Sequence, residues 1–163
     1  MLEPPRAGVA TPRWDQTTLQ LSGYRRSHLL TVITQYNLDF QQAEMQGCEQ
    51  VLWVFGEDQE VTEVGAMNLF VLLKEAGTGH VELVTPPLTS GTVLPGVTRQ
   101  SVLELAGEIA GLKVRERRLT LPELLAASRE GRLLEMFGSG TAAIISPVGG
   151  LRSVEILINW REN

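Results

Sequence analysis

Short apolar segments separated by turns most constrain the fold of this chain. Gln50–Phe55 is an apolar run that ends at a turn, and Met67–Lys74 is rich in Leu, Val and Phe. His80–Thr85 alternates apolar and polar residues after the glycine-containing loop Glu75–Gly79. Apolar runs bounded by turn residues indicate β-strands, and a short glycine loop between two of them indicates an antiparallel hairpin. The pattern predicts a sheet built from hairpins, with Val61–Val64 as a further strand.

Three helices are predicted around these strands. The first covers Asp39–Gln46, and the glycine that follows is typical of a helix stop. The second runs from about Val97 to Ala110. Thr120 and Glu123 form a capping-box pattern, in which a hydroxyl and a carboxylate satisfy free amides, at the start of a helix that runs to about Arg129. The apolar positions with helical spacing in the second helix are Val102, Leu105 and Ile109.

The remaining segments are predicted as loops and strands. The composition of Pro86–Gly91 indicates a loop, and Lys113–Leu119 alternates as an exposed strand does. Further strands are predicted at Leu133–Phe137, at Ala142–Val148 after the turn Gly138-Ser139-Gly140, and at Val154–Ile158. This order of elements favours an α+β fold over an alternating βαβ series.

Composition excludes several classes of protein. The 163 residues are 43% hydrophobic, enough for a packed core, and no apolar stretch is long enough to span a bilayer. The net charge of −5 argues against nucleic acid as a partner. The basic cluster Arg115–Arg118 is interrupted by Glu116 and is interpreted as a solvated strand face. Cys48 is the only cysteine, and only His28 and His80 are histidines, so neither a disulfide nor a Cys- or His-based metal site is expected.

Three features are candidates for chemistry. The free amides of Val97 and Thr98 at a helix start favour an anion, although many helices begin this way without a ligand. The glycine-rich turn Gly138–Ala142 allows close approach of a ligand, or is an ordinary hairpin turn. Glu63 lies among apolar neighbours, so it either is buried and needs a partner or faces solvent.

Five segments, taken together and in this order, resemble a known family. They are Gly47–Trp53, Thr62–Phe70, Thr85–Leu88, Leu94–Ser101 and Met136–Ala143. They are similar to the branched-chain amino acid aminotransferases, which are pyridoxal-phosphate enzymes of fold type IV. The resemblance covers about Gln41 to Val148. It implies the large domain of that fold, in part, with antiparallel and mixed strands that form a pseudo-barrel flanked by helices.

The resemblance implies roles for individual residues. Glu63 would face the pyridine nitrogen of pyridoxal 5'-phosphate, and Leu94 would pack on the ring. Val97, Thr98 and Thr141 would hold the phosphate. The substrate-binding residues would be Ala66, which replaces a usual threonine, Met67 and Ala142, whose turn would present an amide to the substrate carboxylate.

The chain departs from the family at the catalytic lysine. The family lysine binds the cofactor covalently and moves a proton. Its Lys-x-Gly-Gly-Asn-Tyr segment is not found here, and its position falls near His28. Lys74 and Lys113, the only lysines, lie in predicted strands and do not match that position. No catalytic residue is therefore assigned, and the isolated chain is expected to be inactive.

The expected organisation has three parts. Residues 1–40 are a divergent N-terminal arm that is expected to be poorly ordered, 41–148 are the cofactor-binding domain, and 149–163 are a divergent tail. The family reaction is amino transfer between Leu, Ile or Val and 2-oxoglutarate, in the cytoplasm or the mitochondrion. The alternatives are a non-catalytic cofactor-binding module, a module that forms a homodimer or a heterodimer with a full-length subunit, or an unstable truncated product.

Overall fold

The computed structural model describes residues 19–21, 41, 43–45, 47–152 and 157–159. The strands are β1 (Leu19–Leu21), β2 (Gln50–Phe55), β3 (Glu60–Val64), β4 (Met67–Lys74), β5 (Val81–Thr85), β6 (Lys113–Glu116), β7 (Leu133–Ser139), β8 (Ile145–Val148), β9 (Gly150–Arg152) and β10 (Leu157–Asn159). The helices are α1 (Val97–Gly107) and α2 (Leu121–Arg129), and a 3-10 turn covers Leu88–Ser90. Residues 41 and 43–45 are also helical.

All ten strands belong to one sheet, and β4 is its branching strand. The main order is β10-β9-β1-β2-β3-β4-β5-β6, while β7 pairs with both β4 and β8. Asn68 pairs with Glu63 of β3 and also with Ser139 of β7, and Val71 pairs with Val84 of β5 and also with Met136 of β7. One edge of β4 is therefore occupied by β7, and the other edge first by β3 and then by β5. The expected α+β fold with a curled, mostly antiparallel sheet is confirmed.

The pair β5 and β6 is the one parallel pair among the described strands. Parallel neighbours need a crossover connection, and α1 lies in the connection between them. The sequence predicted β6 as an exposed strand over Lys113–Leu119, but it ends at Glu116. Arg117, the next residue, still donates its backbone N–H to Thr85 O of β5 at 3.1 Å, and its side chain binds Glu82 and Glu123.

The two faces of β4 pack against different helices. Leu69, Val71 and Leu73 belong to the main core, which α2 covers. Phe70 lies on the opposite face in a second cluster with Ala106 of α1, and its ring stacks on Phe137 with 5.2 Å between the centroids. Because both faces are covered, the strand is a continuous apolar run.

Arginines near β6 form ion pairs with buried glutamates. Glu82 is held by Arg115 at 3.2 Å and by Arg117 at 2.8 Å, and Glu60 is held by Arg118 at 2.9 Å. Burial alone would lower the pKa of Arg117, but hydrogen bonds to Glu123 and Glu82 raise it. Arg115, Glu116 and Arg118 are exposed and Arg117 is partly exposed, so the interpretation of this basic cluster as a solvated face is confirmed. The sequence did not indicate that these arginines also pair with the buried Glu82 and Glu60.

The buried face of α1 differs from the prediction. Leu105 and Ile109 are exposed, while Arg99 and Ala106 are buried. Arg99 donates to Pro86 O at 2.9 Å and to Glu116 at 2.6 Å, so an arginine anchors the helix where an apolar stripe was expected. The helix ends at Gly107, three residues before the predicted end.

Other local predictions are confirmed in part. Thr120 caps α2 by accepting from Glu123 N at 3.3 Å, but the Glu123 carboxylate binds Arg117 instead of closing the capping box. β7 continues through Ser139, so Gly138 and Ser139 belong to the strand rather than to the predicted turn. β8 begins at Ile145 instead of Ala142.

The two terminal segments are described only in part. Of residues 1–40, Leu19–Leu21 form β1, which pairs with β2 and β9. In the predicted tail, β9 and β10 pair with each other, and residues 154–156 of the predicted strand Val154–Ile158 lie outside the described residues. Within the described part of the chain, no helix is long and apolar enough to cross a membrane.

Candidate functional site

The candidate site lies where β3 separates from β4. Glu63 and Asn68 are directly opposite each other in the β3–β4 hairpin, so their side chains share one face of the sheet. The loop between these strands has only two residues, and Gly65 enters it with a φ of 56°, a conformation that glycine adopts without steric cost. This tight loop fixes the register that places the carboxylate beside the amide.

Glu63 is half-buried, and its hydrogen-bond donors among the described residues are two amide groups. Leu94 N donates to Glu63 Oε1 at 2.9 Å, and Asn68 Nδ2 donates to the same oxygen at 3.3 Å. Among the described residues, no arginine, lysine or histidine forms an ion pair with this carboxylate. Burial raises the pKa of the Glu63 carboxyl, and the hydrogen bond from Leu94 offsets part of that rise.

The loop before α1 brings a second group of candidate residues to Glu63. Leu94 O accepts from Asn68 Nδ2 at 2.7 Å, which fixes the loop on β4, while the Leu94 side chain is 72% exposed. Gly96 is the N-cap of α1 and makes no side-chain capping bond, and Val97 is 85% exposed. The first amides of α1 are therefore uncapped and open, and a helix N-terminus of this kind attracts anions.

The turn after β7 lies against the start of α1. Thr98 Oγ1 donates to Gly140 O at 3.1 Å, so two segments far apart in the sequence meet here. Thr141 and Ala142 are exposed in the turn that follows. The structure thus joins Glu63 directly to Leu94, three residues before Val97 at the start of α1, and joins Thr98 of α1 to Gly140, the residue before Thr141.

The predicted substrate residues have different environments. Ala66 is exposed in the β3–β4 loop. The Met67 side chain packs against the core that α2 covers, on the face opposite Asn68, and so does not join Glu63. Its part in substrate binding, like that of Ala142, stays a prediction.

Both lysines lie far from Glu63. Lys74 is at the other end of β4 from Asn68, about 20 Å away at the usual rise per strand residue. Lys113 pairs in register with Glu82, whose partner on β4 is Leu73, and its amino group binds Glu75 at 2.9 Å. His28, at the expected position of the family lysine, lies outside the described residues.

Sequence reasoning missed two polar residues of this site. Asn68 is buried and contacts both Glu63 and Leu94. Ser139, its partner in β7, is 1% exposed, and its hydroxyl has no hydrogen-bond partner among the described residues. The available signal was the asparagine itself, since Asn is depleted in strands.

The fold and the site define a class of protein. A family model described as amino-transferase class IV matches residues 17–149, and the chain belongs to that family. Within it, the chain resembles the branched-chain aminotransferases.

Curated relatives support this resemblance at high identity. A branched-chain-amino-acid aminotransferase of Monosiga brevicollis is 54% identical over 111 residues, which is 68% of this chain and 28% of that protein. The mitochondrial enzyme of Bos taurus is 52% identical over 108 residues, which is 66% of this chain and 27% of that protein. The matched segment therefore spans little more than a quarter of these relatives. Other relatives are cytosolic, such as that of Caenorhabditis elegans, so the relatives occupy the two expected compartments.

Solved structures agree with the fold. The branched-chain amino acid aminotransferase of Thermobaculum terrenum in its PLP form aligns with a TM-score of 0.54 and 32% identity, over 68% of this chain and 31% of that one. The Escherichia coli enzyme aligns with a TM-score of 0.53 and 33% identity, over 70% of this chain and 34% of that one.

Proposed function

We propose that this chain is the pyridoxal-phosphate-binding part of a branched-chain aminotransferase, and that the 163 residues by themselves bind the cofactor without catalysing amino transfer. The observation that carries the proposal is Glu63, a half-buried carboxylate that has no cation partner among the described residues and lies beside an uncapped helix start. A partly desolvated carboxylate favours a cationic partner, and an open helix N-terminus favours an anion. A pyridine ring that carries a proton and a phosphate has both charges.

The residues of the site fit this group. Both hydrogen bonds that Glu63 accepts from the described residues go to Oε1. Oε2 is therefore the oxygen that would hold the proton of the ring nitrogen. The amides of Val97 and Thr98, with Thr141, would bind the phosphate, and the exposed Leu94 side chain would cover the ring.

When bound, pyridoxal phosphate supplies a ring that accepts electrons from the substrate. Glu63 would keep the ring nitrogen protonated, which is the form that accepts electrons. The bonds from Leu94 and Asn68 would orient its carboxylate for that purpose. In the family, the substrates that this chemistry serves are Leu, Ile or Val and 2-oxoglutarate.

The positions of the lysines support the absence of catalysis by this chain alone. Lys74 and Lys113 lie at the end of the sheet remote from Glu63. A lysine side chain is far shorter than the distance of about 20 Å along β4 from Lys74 to Asn68, the residue opposite Glu63. Neither amino group therefore reaches a ring that Glu63 holds. Without a lysine at the ring, neither covalent attachment nor proton transfer is available.

Titration of purified chain with pyridoxal phosphate tests the proposal. We expect Glu63→Gln to bind the cofactor at least about tenfold more weakly, since a charge-assisted hydrogen bond is lost. Glu57→Gln, which changes an exposed glutamate in the β2–β3 turn, is the matched control and should bind as the wild type does. Equal affinity in all three proteins would contradict the role of Glu63.

Borohydride reduction and intact-mass measurement test the lysine argument. We expect no cofactor mass on the protein and no amino transfer from leucine to 2-oxoglutarate. A reduced adduct on Lys74 or Lys113 would contradict the claim that neither amino group reaches a ring bound at Glu63.

Exposed apolar side chains favour a second candidate function, a subunit-interaction module. Val97 precedes Thr98, Ile144 O accepts from Gly140 N at 3.4 Å, and both apolar side chains are largely exposed. A second copy or a full-length subunit would cover them. We expect Ile144→Asp to reduce co-purification with a tagged full-length subunit, while Leu105→Asp, on the exposed face of α1, leaves it unchanged. A monomer that captures no subunit and melts without cooperativity would instead favour the unstable product.

A further inference from the structure

Asn68 joins the two halves of the candidate site. Its Nδ2 donates to Leu94 O at 2.7 Å and to Glu63 Oε1 at 3.3 Å, and Leu94 N donates to the same Glu63 oxygen at 2.9 Å. The three residues thus form a closed ring of hydrogen bonds, although Leu94 is 26 residues from Asn68 and 31 residues from Glu63. Asn68 is 5% exposed, so its bonds are protected from competing water.

The start of α1 rests directly on the same side chain. A Cβ atom added at Gly96 would overlap Asn68 Oδ1, so the loop can approach this closely only because residue 96 is glycine. Gly96 is the N-cap of α1. One amide side chain therefore contacts the carboxylate, the loop and the helix cap.

We propose that Asn68 is a positioning residue that couples Glu63 to the N-terminus of α1, so that the ring-binding and phosphate-binding groups are held at one separation. This inference rests on the proposed function for the identity of the ligand. The coupling itself is a property of the cofactor-free chain. A ligand that carries both charged groups on a rigid ring gains affinity when both partners are positioned before it binds.

Removal of the Asn68 amide has two expected effects. Glu63 Oε1 loses one of its two donors, and a carboxylate with fewer donors is protonated more easily, so the pKa of Glu63 rises further above its ordinary value. Leu94 O also loses its donor, which frees the loop and the helix start from β4. Pyridoxal phosphate should then bind about tenfold more weakly.

The experiment compares Asn68→Ala with Thr62→Ala in the full chain. Thr62 is a matched control because it is buried, adjacent to Glu63 in β3, and donates one hydrogen bond to a backbone carbonyl, Trp53 O, without contacting the carboxylate. The first readout is the Glu63 carboxyl titration, followed by NMR in protein with labelled glutamate and assigned with Glu63→Gln. The second is the affinity for pyridoxal phosphate.

The two readouts separate the inference from the proposed function. A higher pKa of Glu63 in Asn68→Ala and an unchanged one in Thr62→Ala support the positioning role, even if the wild type binds no cofactor and the proposed function fails. An unchanged pKa of Glu63 in Asn68→Ala overturns the inference, whatever the wild-type affinity. If Asn68→Ala does not melt cooperatively, Asn68→Leu, which has a similar size but neither a donor nor a charge, is measured instead, with the same expected direction and the same overturning result.

Discussion

Glutamates on the same sheet have two opposite electrostatic environments. Glu82 and Glu60 are buried near β6, and arginine side chains from beyond the β5–β6 crossover bind both of them. Glu63, three residues after Glu60, is less buried, and the described residues offer it only amide donors. The first pair of carboxylates is neutralised within the fold. Glu63 keeps its negative charge unbalanced, which is expected where a cationic ligand completes the site.

The two environments suit different roles: the arginine-paired glutamates stabilise the fold, whereas Glu63 is suited to binding a ligand. A buried carboxylate that loses its cation is strongly destabilising, so the arginine-paired glutamates belong to the folded framework. A carboxylate without a cation costs stability when it ionises, and such groups are retained where function requires them. The predictions below test each side of this comparison, beginning with the largest effect.

Removal of Arg117 should cause the largest loss of stability. Arg117→Ala leaves the buried Glu82 with the weaker Arg115 contact and leaves Glu123 without its partner. We expect the free energy of unfolding in urea to fall by about 2 kcal/mol near neutral pH. Arg129→Ala is the control, because Arg129 is exposed at the end of α2 and forms no ion pair among the described residues. An equal loss of unfolding free energy in Arg117→Ala and Arg129→Ala would contradict the claim that the ion pairs of Arg117 stabilise the fold more than an unpaired surface arginine does.

Glu63→Gln should stabilise the cofactor-free chain at neutral pH. The pKa of Glu63 is higher in the folded chain than in the unfolded chain. Its favourable contribution to the free energy of unfolding is therefore complete below the ordinary glutamate pKa, and is lost as the pH rises through the pKa of the folded state. The variant keeps an oxygen that accepts from Leu94 and Asn68 but cannot ionise. We expect it to gain less than about 1 kcal/mol near neutral pH, since solvent screens this half-buried group, and to gain nothing in acid.

Urea unfolding of wild type and Glu63→Gln over a range of pH measures this effect, with Glu57→Gln as a surface control. A gain that is the same at acidic and neutral pH would contradict the pKa argument.

The smallest effect is expected at Glu75, a partly exposed carboxylate that forms an ion pair with Lys113. A hydrogen bond from Lys113, with another from Thr78, lowers the pKa of Glu75 to about 2. The contribution of Glu75 to the free energy of unfolding is therefore present above the ordinary glutamate pKa and is lost as the pH falls through about 2. Glu75→Gln should unfold at a slightly lower urea concentration than wild type near neutral pH and at the same concentration at the acid extreme. A loss of stability as large as that in Arg117→Ala would mean that the Glu75–Lys113 pair stabilises the fold as much as the ion pairs of the buried glutamates do.

Local pattern predicted most of the strands. Apolar runs and glycine turns predicted the strands β2, β3 and β4 and the β4–β5 hairpin almost to the residue, because hairpin pairing depends on neighbours in the sequence. It failed on α1, where spacing alone favoured Leu105 and Ile109 as the buried face. Arg99 is buried instead because Pro86 and Glu116, both distant in sequence, provide its partners.

The sequence identified most residues of the candidate site, but it did not predict the hydrogen bonds that connect them. Glu63, Leu94, Thr98 and Thr141 were identified from motifs. The structure joins Glu63 to Leu94 by a hydrogen bond, and joins Thr98 to Gly140, the residue before Thr141. Asn68 was not assigned a role, because its importance depends on a loop 26 residues away. The roles of these residues toward a cofactor stay predictions until binding is measured.

The sequence by itself determined most of the strands, the helix starts, the family and the absence of the family's lysine segment, because each of these depends on local pattern and residue identity. Only the tertiary structure decided which glutamates receive arginines, that β5 and β6 pair in parallel, and that both lysines lie at the end of the sheet away from Glu63. These properties depend on contacts between segments that are far apart in the chain. Burial and charge pairing, which distinguish Glu63 from Glu82, exist only after those segments have packed together.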